Sequence, residues 1–162
     1  MELGKFHAEI NAFKSKENFK FTKLHEKRFC VLEKIYKLLN KTLSELNFYI
    51  SPVKSTPNEM TFDENEDNLQ LNFINAHNEF ALFYSDSKIY LDINITSLID
   101  NYLNEIGQVY NDYSQNHFLR KLGDRADPKI HMTAYTAYKK IPEKIIPIKK
   151  QIEESFRGLL ER

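Results

Sequence analysis

The sequence predicts an all-α fold: an antiparallel bundle of four or five helices, with one long central helix and a C-terminal helix kinked by proline. Three observations predict it. Apolar residues recur every three or four positions in residues 24–50 and again in residues 95–113, which is the spacing of one face of a helix. Two prolines, Pro142 and Pro147, interrupt a third amphipathic segment, where they must break or kink a helix.

The long central helix is predicted from four rows of apolar side chains. A two-stranded coiled coil needs only two rows, so four rows indicate a helix packed between at least two neighbours in a bundle core. Thr22 is a suitable N-cap for its start, and Pro52 ends it near Ile50. The residues expected in one contiguous core are Leu32, Ile35, Leu39, Leu43 and Leu46.

The chain is expected to form one domain. With 162 residues, 41% of them hydrophobic, it can bury about 70% of its unfolded surface in a single core. Residues 22–162 are assigned to the bundle. Residues 1–21 contain loosely spaced phenylalanines and are expected to form an arm or short helix that packs on it. Residues 51–68 contain two prolines and an acidic run, which predict a solvated loop.

A second helix is expected over about residues 69–84. Residues 69–73 alternate apolar and polar side chains, so a short strand is the alternative there. His77 lies on the apolar face of this helix, where a hydrogen-bonded core histidine is favoured over a ligand.

Capping residues mark the third and fourth helical regions. Asp92 or Asn94 can cap the third helix, and Gly123 marks its end. Asp127 followed by Pro128 is typical of a helix start, because proline fits the first helical position.

Charge is unevenly distributed although the net charge is zero. Residues 55–87 carry seven acidic and no basic side chains, whereas residues 120–162 carry eleven basic and six acidic ones. Basic ends folding against an acidic middle account for this pattern without an external partner.

The composition also bears on the cellular compartment. Glu2, Lys5, His7 and Glu9 interrupt the start of the chain, which indicates no signal peptide, and no stretch approaches the ~20 apolar residues of a membrane span. The one cysteine, Cys30, excludes an internal disulfide and is expected to be buried and inert. A cytoplasmic protein without a membrane partner is therefore expected.

The first candidate site is a polar cluster at the start of the long helix. His25 and Arg28 occupy core-facing positions there, and with Arg157 they could bind an anion or a carboxylate of a partner. The alternative is that this end of the bundle is solvated, or that Arg28 pairs with Asp92 or Glu153.

The second candidate site is the basic segment that contains Lys14, Lys16 and Lys20. These lysines interleave with Phe13, Phe19 and others, a pattern that nucleic-acid-binding proteins use for phosphate contact and base stacking. The near-neutral pI argues against it.

Motifs for catalysis or metal binding are missing from the sequence. Residues 63–67 copy the first ligand positions of a calcium loop, but Asn68 and Ile74 stand where that loop needs glycine and glutamate. The chain has no Glu-x-x-His motif for a di-metal bundle. No catalytic residue, metal or cofactor is predicted.

Three blocks in order carry a resemblance: residues 23–28 (KLHEKR), residues 88–92 (KIYLD) and residues 152–157 (IEESFR). On these blocks the chain resembles a loose group of bacterial all-helical proteins that have no assigned activity. The resemblance implies the helical fold and adds no mechanism.

The expected function is that of a non-catalytic interaction or scaffold protein that acts through helix-on-helix contacts. Four apolar rows offer more helix surface than a small bundle covers, and zero net charge removes self-repulsion, so a homodimer is expected. Binding of nucleic acid or an anion, through the basic N-terminal arm and the His25 and Arg28 end of the bundle, is the alternative.

Overall fold

The computed structural model describes residues 2–123 and 127–161, which are helical apart from short connections. This confirms the all-α bundle. The five α-helices of the described chain are α1 (Glu2–Ile50), α2 (Phe62–Ser87), α3 (Ile93–Lys121), α4 (Pro128–Thr136) and α5 (Ile146–Leu160). Short helical turns join them, at Lys88–Tyr90 between α2 and α3, and at Ala137–Lys139 and Ile141–Ile145 between α4 and α5.

The core surrounds the second half of α1. The five leucine and isoleucine residues expected there are all buried, with Ile35, Leu39 and Leu46 completely inaccessible. Side chains of α2, α3 and α5 pack on them, including Phe80, Tyr102 and Ile152. The Tyr102 hydroxyl also donates to the Leu39 carbonyl at 3.2 Å, which satisfies its polar end inside the core.

The first helix is longer than expected, because α1 begins at Glu2 and not at Thr22. Inside the helix, the Thr22 hydroxyl donates to the Asn18 carbonyl at 2.9 Å. A threonine inside a helix can make this bond back to the preceding turn. The expected start at Thr22 is therefore wrong, and α1 continues as one 49-residue helix about 74 Å long.

The second helix also begins earlier than expected, at Phe62. The Thr61 hydroxyl accepts from the Glu64 amide, and the Glu64 carboxylate accepts from the Thr61 amide, which together form a capping box. The acidic side chains in the first turn, Asp63 and Glu64, also stabilise α2 by interacting with the positive end of the helix dipole. The solvated loop expected over residues 51–68 is thus wrong beyond residue 61, and the strand alternative for residues 69–73 is wrong.

The remaining helix starts agree with the sequence. Asp92 caps α3 by accepting from the Ile95 amide at 2.9 Å. Gly123 follows α3 with a φ of 76°, a left-handed conformation that glycine adopts without strain. Asp127 caps α4 directly before Pro128.

The prolines shape the C-terminal region as predicted. Pro142 lies in a π-helical turn over Ile141–Ile145, whose wider winding accommodates a ring that would clash in an α-helix. Pro147 lies in the first turn of α5, where its missing N–H costs nothing. None of the helices in the described residues combines the length and apolar character needed to cross a bilayer.

Candidate functional site

The first half of α1, residues 2–30, projects from the bundle, and we call it the arm. None of its side chains is buried, whereas Val31 and Leu32 directly after it lie in the core. The arm spans about 43 Å at 1.5 Å per residue. The expectation that its phenylalanines pack on the bundle is wrong, since Phe6, Phe13 and Phe21 are 58%, 66% and 71% exposed.

The arm carries an apolar face that continues the buried face of α1. Leu3, Ile10 and Leu24 fall in the seven-residue row that contains the buried Val31 and Leu38. A 3.6-residue helix places such a row along one side. We call the following set the apolar face of the arm: Leu3, Phe6, Ile10, Phe13, Phe21 and Leu24.

A charged flank borders this face. It consists of the seven-residue row Glu2, Glu9, Lys16, Lys23 and Cys30, which is acidic toward the start of the arm and basic toward the bundle. The Cys30 thiol is exposed, so its expected burial is wrong.

Two charged residues lie on the apolar face itself. Glu17 is paired with Lys20 at 3.6 Å on the helix surface. Arg28 makes no ion pair within residues 2–123 and 127–161, and it lines a small cavity together with Asp92. The expected pairing of Arg28 with Asp92 or Glu153 is not formed there.

The polar cluster of His25, Arg28 and Arg157 is not assembled as expected. His25 stacks on Phe21 within the arm, with ring centroids 6.2 Å apart. Arg28 and Arg157 line different cavities. No hydrogen bond or ion pair joins the three side chains in the described part of the chain. Lys14, Lys16 and Lys20 are exposed on the arm.

An apolar groove lies where the arm meets the bundle. Its volume is about 280 Å³, and α1 and α5 form its walls. Phe29 and Leu160 are half exposed at its edge, with Phe156 buried at the bottom. The groove adds exposed apolar surface at the point where the arm joins the body of the protein.

A buried polar network at the far end of α1 is the second candidate site, and no pattern in the sequence indicates it. Lys54, from the connection after α1, forms an ion pair with Glu66 of α2, and both side chains are almost inaccessible. The Tyr113 hydroxyl of α3 donates to the Glu66 carboxylate at 2.7 Å. Arg120 lies 3.9 Å from the same carboxylate.

A second branch of the network runs through His117. The Tyr49 hydroxyl and His117 Nδ1 are 2.7 Å apart, and His117 Nε2 lies 3.0 Å from the Asp67 carboxylate. Lys121 donates to that carboxylate at 2.9 Å, which lowers the pKa of Asp67. Burial raises the pKa of Tyr49.

The network holds the connection after α1 against α2 and α3. Burial lowers the pKa of Lys54 and raises that of Tyr113, but each polar group has a partner. No buried side-chain polar atom among the described residues lacks a hydrogen bond, and the Glu66 side chain is inaccessible. The buried ion pair and its hydrogen bonds therefore anchor the connection after α1 to the bundle.

Acidification is expected to destabilise the fold through His117. Burial lowers the pKa of His117 below its ordinary value of 6.5, despite the opposing attraction of Glu66 and Asp67. Between the two pKa values only the unfolded chain binds the proton, so the free energy of unfolding falls as the pH drops from 6.5 through the folded pKa. Urea unfolding at pH 7.5 and 5.5 measures this.

The His117→Gln variant tests the assignment. It should lose part of the pH dependence. His77→Gln should lose a further part, because burial lowers the pKa of His77 as well, and His7→Gln is the matched control, since His7 is exposed on the arm. Asp67 does not contribute in this window, since its lowered pKa keeps it ionised. An unchanged pH dependence in His117→Gln would contradict the role of His117.

Neither the arrangement of metal-binding side chains nor comparison with known proteins identifies a further site. Among the described residues, no group of three or more His, Cys, Asp or Glu side chains could hold a metal ion. No family model matches the chain, and no similar curated protein or solved structure was found for it.

Proposed function

We propose that this protein is a non-catalytic interaction protein that self-associates through the apolar face of the arm, by helix-on-helix contacts. One observation carries the proposal. The face that is buried in the second half of α1 continues along the arm, interrupted by Glu17 and Arg28, and most of its apolar side chains are exposed there. A contiguous exposed apolar surface of this kind is typical of a protein interaction site.

The energetics of the arm support a binding role. A helix without tertiary contacts is only marginally stable in water, so the arm gains most of its stability when its face is covered. Each fully covered phenylalanine or leucine contributes about 1.5–3 kcal/mol. The formal net charge of zero adds no repulsion between copies.

Nucleic-acid binding through the arm is less well supported. Lys16 lies on the charged flank of the arm together with Glu2 and Glu9, and Lys14 lies on the other side of the apolar face. Phe6, Phe13 and Phe21 belong to one continuous apolar face together with leucine and isoleucine, as in a helix-packing surface. Base stacking would leave these aliphatic side chains exposed.

Light scattering across a tenfold dilution tests the proposal. We expect the wild-type chain to have about twice its monomer mass of 19.2 kDa. The variant Phe6→Gln/Phe13→Gln should associate at least about 100-fold more weakly, because a dimer loses four covered rings. Leu82→Gln is the matched control, since Leu82 is 66% exposed on α2, and it should behave as the wild type.

A monomer at every dilution would overturn self-association. If that monomer also bound a single-stranded oligonucleotide, with an affinity that falls with salt and with replacement of Lys14, Lys16 and Lys20, nucleic-acid binding would take its place. If the wild type and Phe6→Gln/Phe13→Gln associated equally strongly, the interface would lie outside the arm.

A further inference from the structure

We propose that a cleft at the end of α1 opposite the arm binds an adenine base, which pairs with the Asn65 carboxamide. We call it the Asn65 cleft. Its walls are formed by the end of α1, the connection over residues 51–57, the first turns of α2 and the turns between α4 and α5. Asn47 at its edge lies about 35 Å along α1 from Leu24 of the arm. The inference therefore goes beyond the proposed function and does not depend on the arm.

The Asn65 side chain has hydrogen-bonding capacity that the protein does not use. Asn65 is 8% exposed, and its carboxamide makes no hydrogen bond to another group within residues 2–123 and 127–161. Both amide atoms are nevertheless accessible, because every fully buried side-chain polar atom in this part of the chain has a partner. A nearly buried amide is normally paired with protein, water or a ligand. Since Asn65 lines the cleft, a molecule bound there can supply the missing partner.

The Asn65 cleft is preformed. The capping box of Thr61 and Glu64 fixes the first turn of α2, where the Asn65 backbone amide donates to the Thr61 carbonyl at 3.1 Å. The buried ion pair of Lys54 with Glu66 holds the connection that forms another wall. The volume of the cleft is about 700 Å³, within the range of about 300–1,000 Å³ that small-molecule sites occupy.

Aromatic rings in the lining favour a planar ligand. Phe48 is 57% exposed, and Tyr138 is half-buried. Both line the cleft, and neither stacks on another aromatic ring of the described chain. Their faces are therefore available to a flat ring, and aromatic side chains stack on nucleic-acid bases in this way.

The lining provides no unpaired charge. Lys54 is the charged residue among the residues that line the cleft. Its ammonium group is bonded to the Glu66 carboxylate and lies 2.6 Å from the Tyr113 hydroxyl. A phosphate or carboxylate group would find no free cation there, so the cleft favours a neutral ligand.

The chemistry of the carboxamide selects adenine among neutral planar rings. The Asn65 side chain offers one acceptor oxygen and one donor nitrogen side by side. Adenine presents the complementary edge, an amino donor next to a ring nitrogen acceptor, which asparagine binds with two hydrogen bonds. The two fused rings of a purine also cover more of an aromatic side chain than the single ring of a pyrimidine does.

Titration of the nitrogen-15-labelled full chain with adenosine, followed by NMR, tests the site. The signals of the Asn65 side-chain amide should shift and saturate. N6,N6-dimethyladenosine lacks both amino protons but keeps the ring faces, so it should bind at least about tenfold more weakly. Adenosine monophosphate should bind about as well as adenosine, because the lining offers no free cation for its phosphate.

The Asn65→Leu variant isolates the pairing. It keeps a side chain of similar size without donor or acceptor, and adenosine should bind it at least about tenfold more weakly. In this variant the difference between adenosine and N6,N6-dimethyladenosine should disappear, because the amino protons have no partner left. Asn101→Leu is the matched control, since Asn101 is exposed on α3. If Asn65→Leu fails to fold, the comparison of the two nucleosides on the wild type remains decisive.

Three results would overturn the inference: no saturable shift with adenosine, equal binding of N6,N6-dimethyladenosine, or binding of adenosine monophosphate at least about tenfold tighter than that of adenosine. The last result would indicate an anion site. The variant Phe6→Gln/Phe13→Gln should bind adenosine as the wild type does, because its changes lie on the arm. Failure of adenine binding therefore leaves self-association untouched, and a monomeric wild type leaves the Asn65 cleft untouched.

Discussion

Replacing Glu66 with glutamine is expected to lower the free energy of unfolding by about 3–5 kcal/mol, because it leaves the Lys54 ammonium buried without a counterion. The Lys54 side chain is only 7% exposed and the Glu66 side chain is inaccessible. Glutamine keeps the shape of the side chain and an acceptor for the Tyr113 hydroxyl, so the loss isolates the charge. Urea unfolding at pH 7 measures it.

Two sets of control variants show whether the loss of stability comes from the buried ion pair of Lys54 and Glu66. Lys54→Met alone should also destabilise, while Lys54→Met/Glu66→Gln should cost less than the sum of the single changes, because neither residue is then charged. Lys41 and Glu79 form an exposed ion pair at 3.1 Å, so Glu79→Gln should cost about 0–1 kcal/mol. Additive effects at Lys54 and Glu66 would contradict a coupled buried pair.

The helical core was predictable from sequence because periodicity reports local structure directly. Leu32, Leu39 and Leu46 repeat at seven-residue spacing, and every one of them is buried. The starts of α3 and α4 were predictable for a similar reason, since Asp92 and Asp127 cap their own helices. In both cases the pattern that predicts the structure lies within a short segment of the sequence.

The starts of α1 and α2 were predicted wrongly, because the local sequence at each is compatible with two structures. Thr22 has the side chain of an N-cap, yet it bonds to Asn18 inside α1. The acidic run after Thr61 has the composition of a loop, yet Thr61 and Glu64 form a capping box that starts α2. The Thr-x-x-Glu spacing was the available signal for this start.

The sites were harder to predict than the helices. Lys54 and Glu66 meet across a chain connection, and Tyr113 joins them from α3. Spacing in the sequence does not report contacts of this kind. The arm was different, because Leu3, Ile10 and Leu24 share a heptad row with the core residue Val31. Glu17 interrupts that row, and the continuity of the face was missed for this reason.

Self-association through the arm is expected to protect its backbone amides from hydrogen exchange in a concentration-dependent manner. In the monomer most of the arm is exposed, so its helix opens easily and its amides exchange fast. A dimer opens the arm only after the partner copy dissociates. At a total concentration about 100 times the dissociation constant about 7% of the chains are monomeric, so protection of the arm should rise about 15-fold.

Hydrogen exchange measured by mass spectrometry below and above the dissociation constant is therefore the most direct test of the arm as the interface. Exchange is expected to slow with concentration in residues 6–27 and to stay constant in α2 and in the second half of α1. Exchange in the arm that is equally fast at all concentrations would exclude the arm as the interface, as would a concentration-dependent change confined to the bundle.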